Sequence, residues 1–353
     1  MYMDTLTALL NSKLDIKPST CRSYCNSINN ICKKWESSGL LNGKKHRGFT
    51  KENTFRLDKL AKPPDVFAII EKLKPSAQKN KVSALITVLK AIDEKKYGKA
   101  IKIYREKQEQ LRADIKDVLN TSKLSEKQDA NWTTLADLQS AITYWEDKYD
   151  ELVKNKMTDA NALQKCANCL LMAVLYSGKY IAPVRLEMSD VQIITKKEYD
   201  TLSEKTGNYL ILKPKNSFFS LNEYKTAKKY GENKFDIPDE LADIIRKAKK
   251  KSLNKTLLFT CPTNKDTNVS KKNRFGELIT ETFGSTGKKI YGQILRNIYI
   301  TEMWSSLRTH SERMKISKQM GTSLEIILSV YQKCVNQDDT CENLTEETPN
   351  EDD

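Results

Sequence analysis

The sequence predicts a mainly α-helical fold with one small antiparallel β-sheet, an α+β chain in which a helical N-terminal domain precedes a larger domain that holds the sheet. Three observations lead there. Apolar residues recur at helical spacing through most of the first half, and only the stretch from Tyr209 to Ile237 is rich in aromatic and branched residues cut by turn formers. The chain has 353 residues, more than the roughly 100–200 that one core organises. The expected layout is a helical domain at 1–119, a linker at 120–131, a second domain at 132–336 and an acidic tail at 337–353.

The first helix is expected over 19–35, where Cys21, Tyr24, Cys25, Ile28, Ile31, Cys32 and Trp35 share a face and Ser19 or Thr20 can cap it. Helices follow at 65–72 and 76–93, the latter with Val82, Leu85, Ile86, Leu89 and Ile92 in one stripe. A polar helix-prone segment over 104–119 runs into NTSKLSEKQDA, whose turn formers and charges mark the linker. Beyond it, 133–149 and 160–176 read as helices, and the apolar character of the second places it centrally. Strands are expected at 209–212, 218–221 and 234–237. The segment 270–287, anchored by Phe275, Leu278 and Phe283, is expected to carry a helix, as are 294–303 and the closing stretch 320–333.

Charge and cysteine usage narrow the function. The formal net charge is +14, although the residues from Gln337 on hold eight acids and no Lys or Arg. Such an excess of cations suits a polyanionic partner, nucleic acid before membrane, or else a solvated lysine-rich surface. The first ten residues contain Asp4 and lack a basic start, so no secretory signal is expected, and no segment approaches a membrane span. Eight cysteines are then expected reduced, inside a cell. Cys166 and Cys169 form a CxxC with no second pair nearby, and His46 and His310 are remote, so no metal or other cofactor is expected.

Four short segments carry chemistry: PVRLEMSDV around Arg185, NEYKTAKKYG around Lys225, LRNIY around Arg296, and MGTSLEIILSVYQK ending near Tyr331. Two arginine forks can clamp the non-bridging oxygens of a phosphodiester. A tyrosine among cations is a usable nucleophile, and a lysine on a hairpin can protonate the departing sugar oxygen. Each residue also has a plainer role open to it. Lys225 can belong to a basic turn that merely touches phosphate, and Tyr331 can be a half-buried tyrosine on an amphipathic helix.

In that order, Arg185, Lys225, Arg296 and Tyr331 resemble the catalytic series of the tyrosine recombinases. The proline before the first arginine is similar to integrase-like proteins of large eukaryotic DNA viruses and virophages. The resemblance is specific from about residue 160 to 333. It implies a helical core-binding domain followed by a catalytic domain that cuts and rejoins double-stranded DNA through a 3′-phosphotyrosyl intermediate, without metal or ATP. It also implies a homotetramer on DNA, a monomer when free, and residence in the nucleus or a viral replication compartment. Arg22 and Lys81 in the helical domain, with Lys228 and Lys229 in the hairpin turn, are the expected DNA contacts. Where the family usually has two histidines this chain has Tyr299 and Thr322, which can donate hydrogen bonds but cannot shuttle protons near neutral pH. Tyr299 can equally be a core aromatic, and Thr322 can cap the last helix. Two other functions share these residue types: DNA relaxation of the type IB topoisomerase kind, and DNA binding with impaired catalysis.

Overall fold

The computed structural model describes residues 6, 8–10, 12, 16, 18–37, 59–120, 123–156, 159–268, 272–307 and 309–333. The expected acidic tail at 337–353 lies outside them, as does the side chain of Trp35. The chain divides into two compact units, Met1–Thr121 and Ser122–Asp353. Among the described residues, no helix is long and apolar enough to cross a membrane.

The first unit is helical: α1 (Pro18–Ser37), α2 (Pro63–Ile70) and α3 (Pro75–Asn120). Its core joins Cys21, Cys25, Ile28, Ile31 and Cys32 of α1 to Val66 and Ile70 of α2 and to the Val82, Leu85, Ile86 and Leu89 stripe of α3. Burying such stripes is what holds helices this polar together. Asp93 interrupts α3 with extended dihedrals (φ −163°, ψ 97°), and its Oδ1 accepts the Lys96 N–H at 2.9 Å, so a second helix starts there. That kink coincides with the helix end expected from sequence at 93. Beyond it the helix runs through to Asn120, where sequence placed a linker.

The second unit opens with a single capped turn, α4 (Glu126–Asp129), inside the expected linker, followed by α5 (Leu135–Lys154) and α6 (Ala160–Tyr176). Helix α6 is buried along nearly its whole length, as its apolar sequence requires, and it begins where the Asp159 carboxylate accepts the Asn161 and Ala162 N–H groups. A 3-10 turn at Leu186–Asp190 leads to β1 (Gln192–Ile194), α7 (Lys196–Thr201), β2 (Asn208–Ile211) and β3 (Phe218–Leu221). The one-turn α8 (Ala227–Tyr230) and β4 (Asn233–Asp236) complete the sheet region.

The sheet order is β1-β2-β3-β4, with β1 parallel to β2 and the other pairs antiparallel. It is therefore mixed rather than antiparallel. The extra strand has only three residues, too few to show a period in sequence. Asn208, Leu221 and Asn233 lie at one end of this sheet, and Ile211, Phe218 and Asp236 at the other.

Helix α9 (Asp239–Lys250) covers the core with Leu241, Ala242, Ile244, Ile245 and Ala248. It ends in a buried lysine, Lys249, whose Nζ donates to the Leu257 and Asn254 carbonyls, Ser252 Oγ and Thr260 Oγ1 at 2.6–3.3 Å. Burial pushes that ammonium down to about 7, and the four oxygens are what oppose its loss of charge. A two-stranded ladder, β5 (Thr260–Cys261) and β6 (Asn264–Asn268), precedes α10 (Lys272–Thr282) and α11 (Gly292–Met303). Then come α12 (His310–Gln319) and the short α13 (Leu324–Ile326), which passes directly into a π-helical turn at Ile327–Tyr331.

Candidate active site

Arg185 and Arg296 reach one region from distant parts of the chain because two backbone turns hold them there. After α6 the chain reverses at Gly178 (φ +77°) and returns so that the Tyr176 hydroxyl donates to the Arg185 carbonyl at 2.6 Å. The Arg185 guanidinium, half-buried, donates through Nη1 to the Gly321 carbonyl at 2.8 Å. Arg296, on the second turn of α11, is only 2% exposed, and its Nη1 and Nη2 donate to the carbonyls of Pro183 (2.8 Å) and Met320 (3.1 Å). Its Nε has no partner.

Tyr331 lies against that guanidinium, with the Arg296 Cζ 4.5 Å from the ring centroid, within the range of a cation–π contact. The tyrosine closes the π turn, in which the Gln332 N–H reaches back five residues to the Ile327 carbonyl at 3.0 Å. Burial pushes the Arg296 guanidinium below its ordinary range; the Tyr331 oxygen offsets this, and the nearby positive charge of Arg185 adds to it. Two like charges held this close favour an anion between them.

The loop from β3 to β4 brings the third element. Thr226 Oγ1 donates to the Gly321 carbonyl at 2.8 Å, the acceptor that Arg185 also uses. Its neighbour Lys225 is exposed, and the Lys225 N–H meets Glu187 Oε1 at 3.4 Å. Asn208 at the end of β2 fixes this geometry: its amide donates to the Glu187 and Glu223 carbonyls, and its Oδ1 accepts the Asn222 and Glu223 N–H groups. Lys228 and Lys229 sit exposed on α8 in the same loop.

The two residues in the histidine places part company. Thr322 is buried directly after Gly321, and its N–H donates to the Ser317 carbonyl at 3.0 Å. It does not cap the last helix. Ser323 does, its hydroxyl accepting the Ile326 N–H, because only the residue just outside the first helical turn has the extended backbone a cap needs. Tyr299 belongs to the core. Its ring closes over Gly178, lines a groove with Met303, Leu307 and Ile316, and has its phenol pushed up to about 12 by burial.

Of the expected DNA contacts in the first unit, Arg22 is exposed on α1 and Lys81 is half-buried on α3. Burial pushes the Lys81 ammonium down, and the neighbouring Lys34 adds to it. Glu187, Asn208 and Thr226 were not apparent from sequence. Glu187 lies two residues after Arg185 and Thr226 directly follows Lys225 in the YKT segment, and that proximity was the available signal. Among the described residues, no group of three or more His, Cys, Asp or Glu side chains could hold a metal ion. Comparison with protein-family models, curated proteins and solved structures finds no match.

Proposed function

We propose that this chain cuts and rejoins double-stranded DNA by the chemistry of a tyrosine recombinase. The observation that carries the reading is the stack of Arg296 on Tyr331, with Arg185 bonded to the adjacent Gly321 turn. A phosphodiester between the two guanidinium groups would have its developing charge neutralised by permanently charged donors. The Tyr331 phenol gives up its proton to solvent water as its oxygen attacks phosphorus, a P–O bond to tyrosine forms, and the bond to the 5′ oxygen breaks. Lys225 supplies the proton that the departing oxygen takes up. Attack of a 5′ hydroxyl on the phosphotyrosyl link reverses the step, so the bond is resealed without ATP. The hydroxyl of Thr322 offers one further donor beside the phosphate. On this reading Lys228 and Lys229 contact the backbone near the cut, Arg22 and Lys81 grip the duplex elsewhere, and the working form on DNA is a homotetramer assembled from free monomers in the nucleus or a viral replication compartment.

The test is covalent trapping on a nicked duplex from which the cut fragment diffuses away. The wild-type chain should give a protease-sensitive protein–DNA adduct, and Tyr331→Phe should give none while binding the duplex as before. An adduct that persists in the Phe variant sinks the assignment.

A further inference from the structure

The end of the sheet remote from Tyr331 gathers a second set of cations. Strand β2 starts at Asn208, which holds Glu187 and Glu223, and four steps later reaches Leu212, about 13 Å along the strand at ~3.3 Å per residue. There Ile193 and Leu212 floor an open groove of about 390 Å³ whose walls are Arg246, Lys247, Lys249, Lys250 and Lys255. No carboxylate lines it.

Three of those cations are already committed. Arg246 pairs with Asp243 and the Lys213 carbonyl, Lys247 with Glu146 and Asp150, and Lys249 with its four oxygens. The others are not. Lys250, Lys251 and Lys255, joined by Lys197 on α7 and Lys215 in the β2–β3 turn, are exposed and have no carboxylate at ion-pair distance among the described residues.

Helix electrostatics explains only part of this set. Lys250 and Lys251 close α9, where cations complement the dipole, but Lys197 sits in the first turn of α7, where a cation opposes it. Lys215 and Lys255 belong to loops. The loop bearing Lys255 is tied to the sheet through the Ile193 N–H and the Thr256 carbonyl at 2.7 Å, so its position is fixed.

We propose that this face binds the phosphate backbone of a second stretch of duplex DNA, separate from the one at Tyr331. The cations are spread over three segments rather than converging on a point, which suits a polymer and not a small anion. The groove floor has no aromatic face on which an unpaired base could stack. The only apolar residues lining the groove are Ile193 and Leu212, both half-buried, so the groove itself presents no large exposed apolar side chain to insert into a lipid surface. The proposal does not depend on tyrosine chemistry.

Amine acetylation read by mass spectrometry tests it, with a duplex several helical turns long at low salt. The duplex should protect Lys250, Lys251 and Lys255, and the triple variant Lys250→Gln/Lys251→Gln/Lys255→Gln should lower the salt slope of duplex binding by up to about 2.7, at ~0.9 per phosphate contact. The footprint needs no variant, and Lys197→Gln/Lys215→Gln gives a second substitution confined to residues outside α9. Unprotected lysines with an unchanged slope would overturn the proposal. So would protection by phosphatidylserine vesicles where DNA gives none, which would reassign the face to a membrane surface. Trapping through Tyr331 on the same preparations separates this outcome from failure of the strand-transfer reading.

Discussion

Arg185 and Thr226 share one acceptor, the Gly321 carbonyl, at 2.8 Å from each. A single backbone oxygen thus links the first arginine to the loop that carries Lys225. Gly321 can occupy this place because it has φ +62° and no side chain; a Cβ there would stand 3.3 Å from the Tyr224 ring. Gly321→Ala is expected to lower stability by about 1–2 kcal/mol, the ordinary penalty for the left-handed conformation, measured by urea denaturation. Thr226→Val should slow adduct formation while leaving duplex affinity within error, since it loosens the loop and removes no cation.

The two arginines should respond differently to loss. Arg296→Met leaves the buried carbonyls of Pro183 and Met320 without donors, and at about 1–3 kcal/mol for each unsatisfied group the variant should unfold at clearly lower denaturant. Arg185→Gln, half-buried with one such bond, should fold nearly normally yet trap DNA roughly 10²–10³-fold more slowly, as removal of one oxyanion donor does. Denaturation and trapping on the same samples check both.

Gly178 and Tyr299 form a tight pair: a Cβ on Gly178 would lie 2.5 Å from the tyrosine ring, and the backbone there has φ +77°. Gly178→Ala should cost about 2–5 kcal/mol, combining backbone strain and overpacking. Adding Tyr299→Leu should recover the overpacking part, about 1–3 kcal/mol, and leave the backbone part. A double-mutant cycle in urea measures the coupling; full additivity would contradict the contact.

Asp137 gives a pH signature. Hydrogen bonds from the Thr133 and Thr134 side chains and the Thr134 N–H hold its carboxyl below the usual 3.8. A lowered folded value means the unfolded chain binds the proton more readily, so the contribution is complete above pH 3.8 and fades as pH falls through the folded value. Asp137→Ala should lose roughly 0.3–1 kcal/mol at neutral pH, the range for an exposed acid in the first turn of a helix, and the difference from wild type should shrink in acid below pH 4.

Much of the helical architecture was legible because it rests on one-dimensional periodicity. The Cys21–Cys32 face, the Val82–Leu89 stripe and the buried run of α6 all pack as their spacing requires. Strand β1 was hidden because three residues carry no period, and its parallel pairing depends on a contact seventeen positions away, Gln192 with Tyr209. At the site, side chains with distinctive chemistry could be picked out, whereas Gly321, Met320 and Pro183 act through carbonyls that every residue owns. Asn208 was missed for a related reason: its role exists only once two loops meet around it.

The π turn at Ile327–Tyr331 sets the position of the ring by chain length rather than by helical face. A π turn holds one residue more than an α turn. One residue inserted between Ser323 and Ile327, with the π turn kept, carries the tyrosine about 100° around the axis, away from Arg296. Such a chain keeps every residue of the candidate site and loses their alignment. The interval between Gly321 and Tyr331 is therefore as much a part of the site as the side chains it separates.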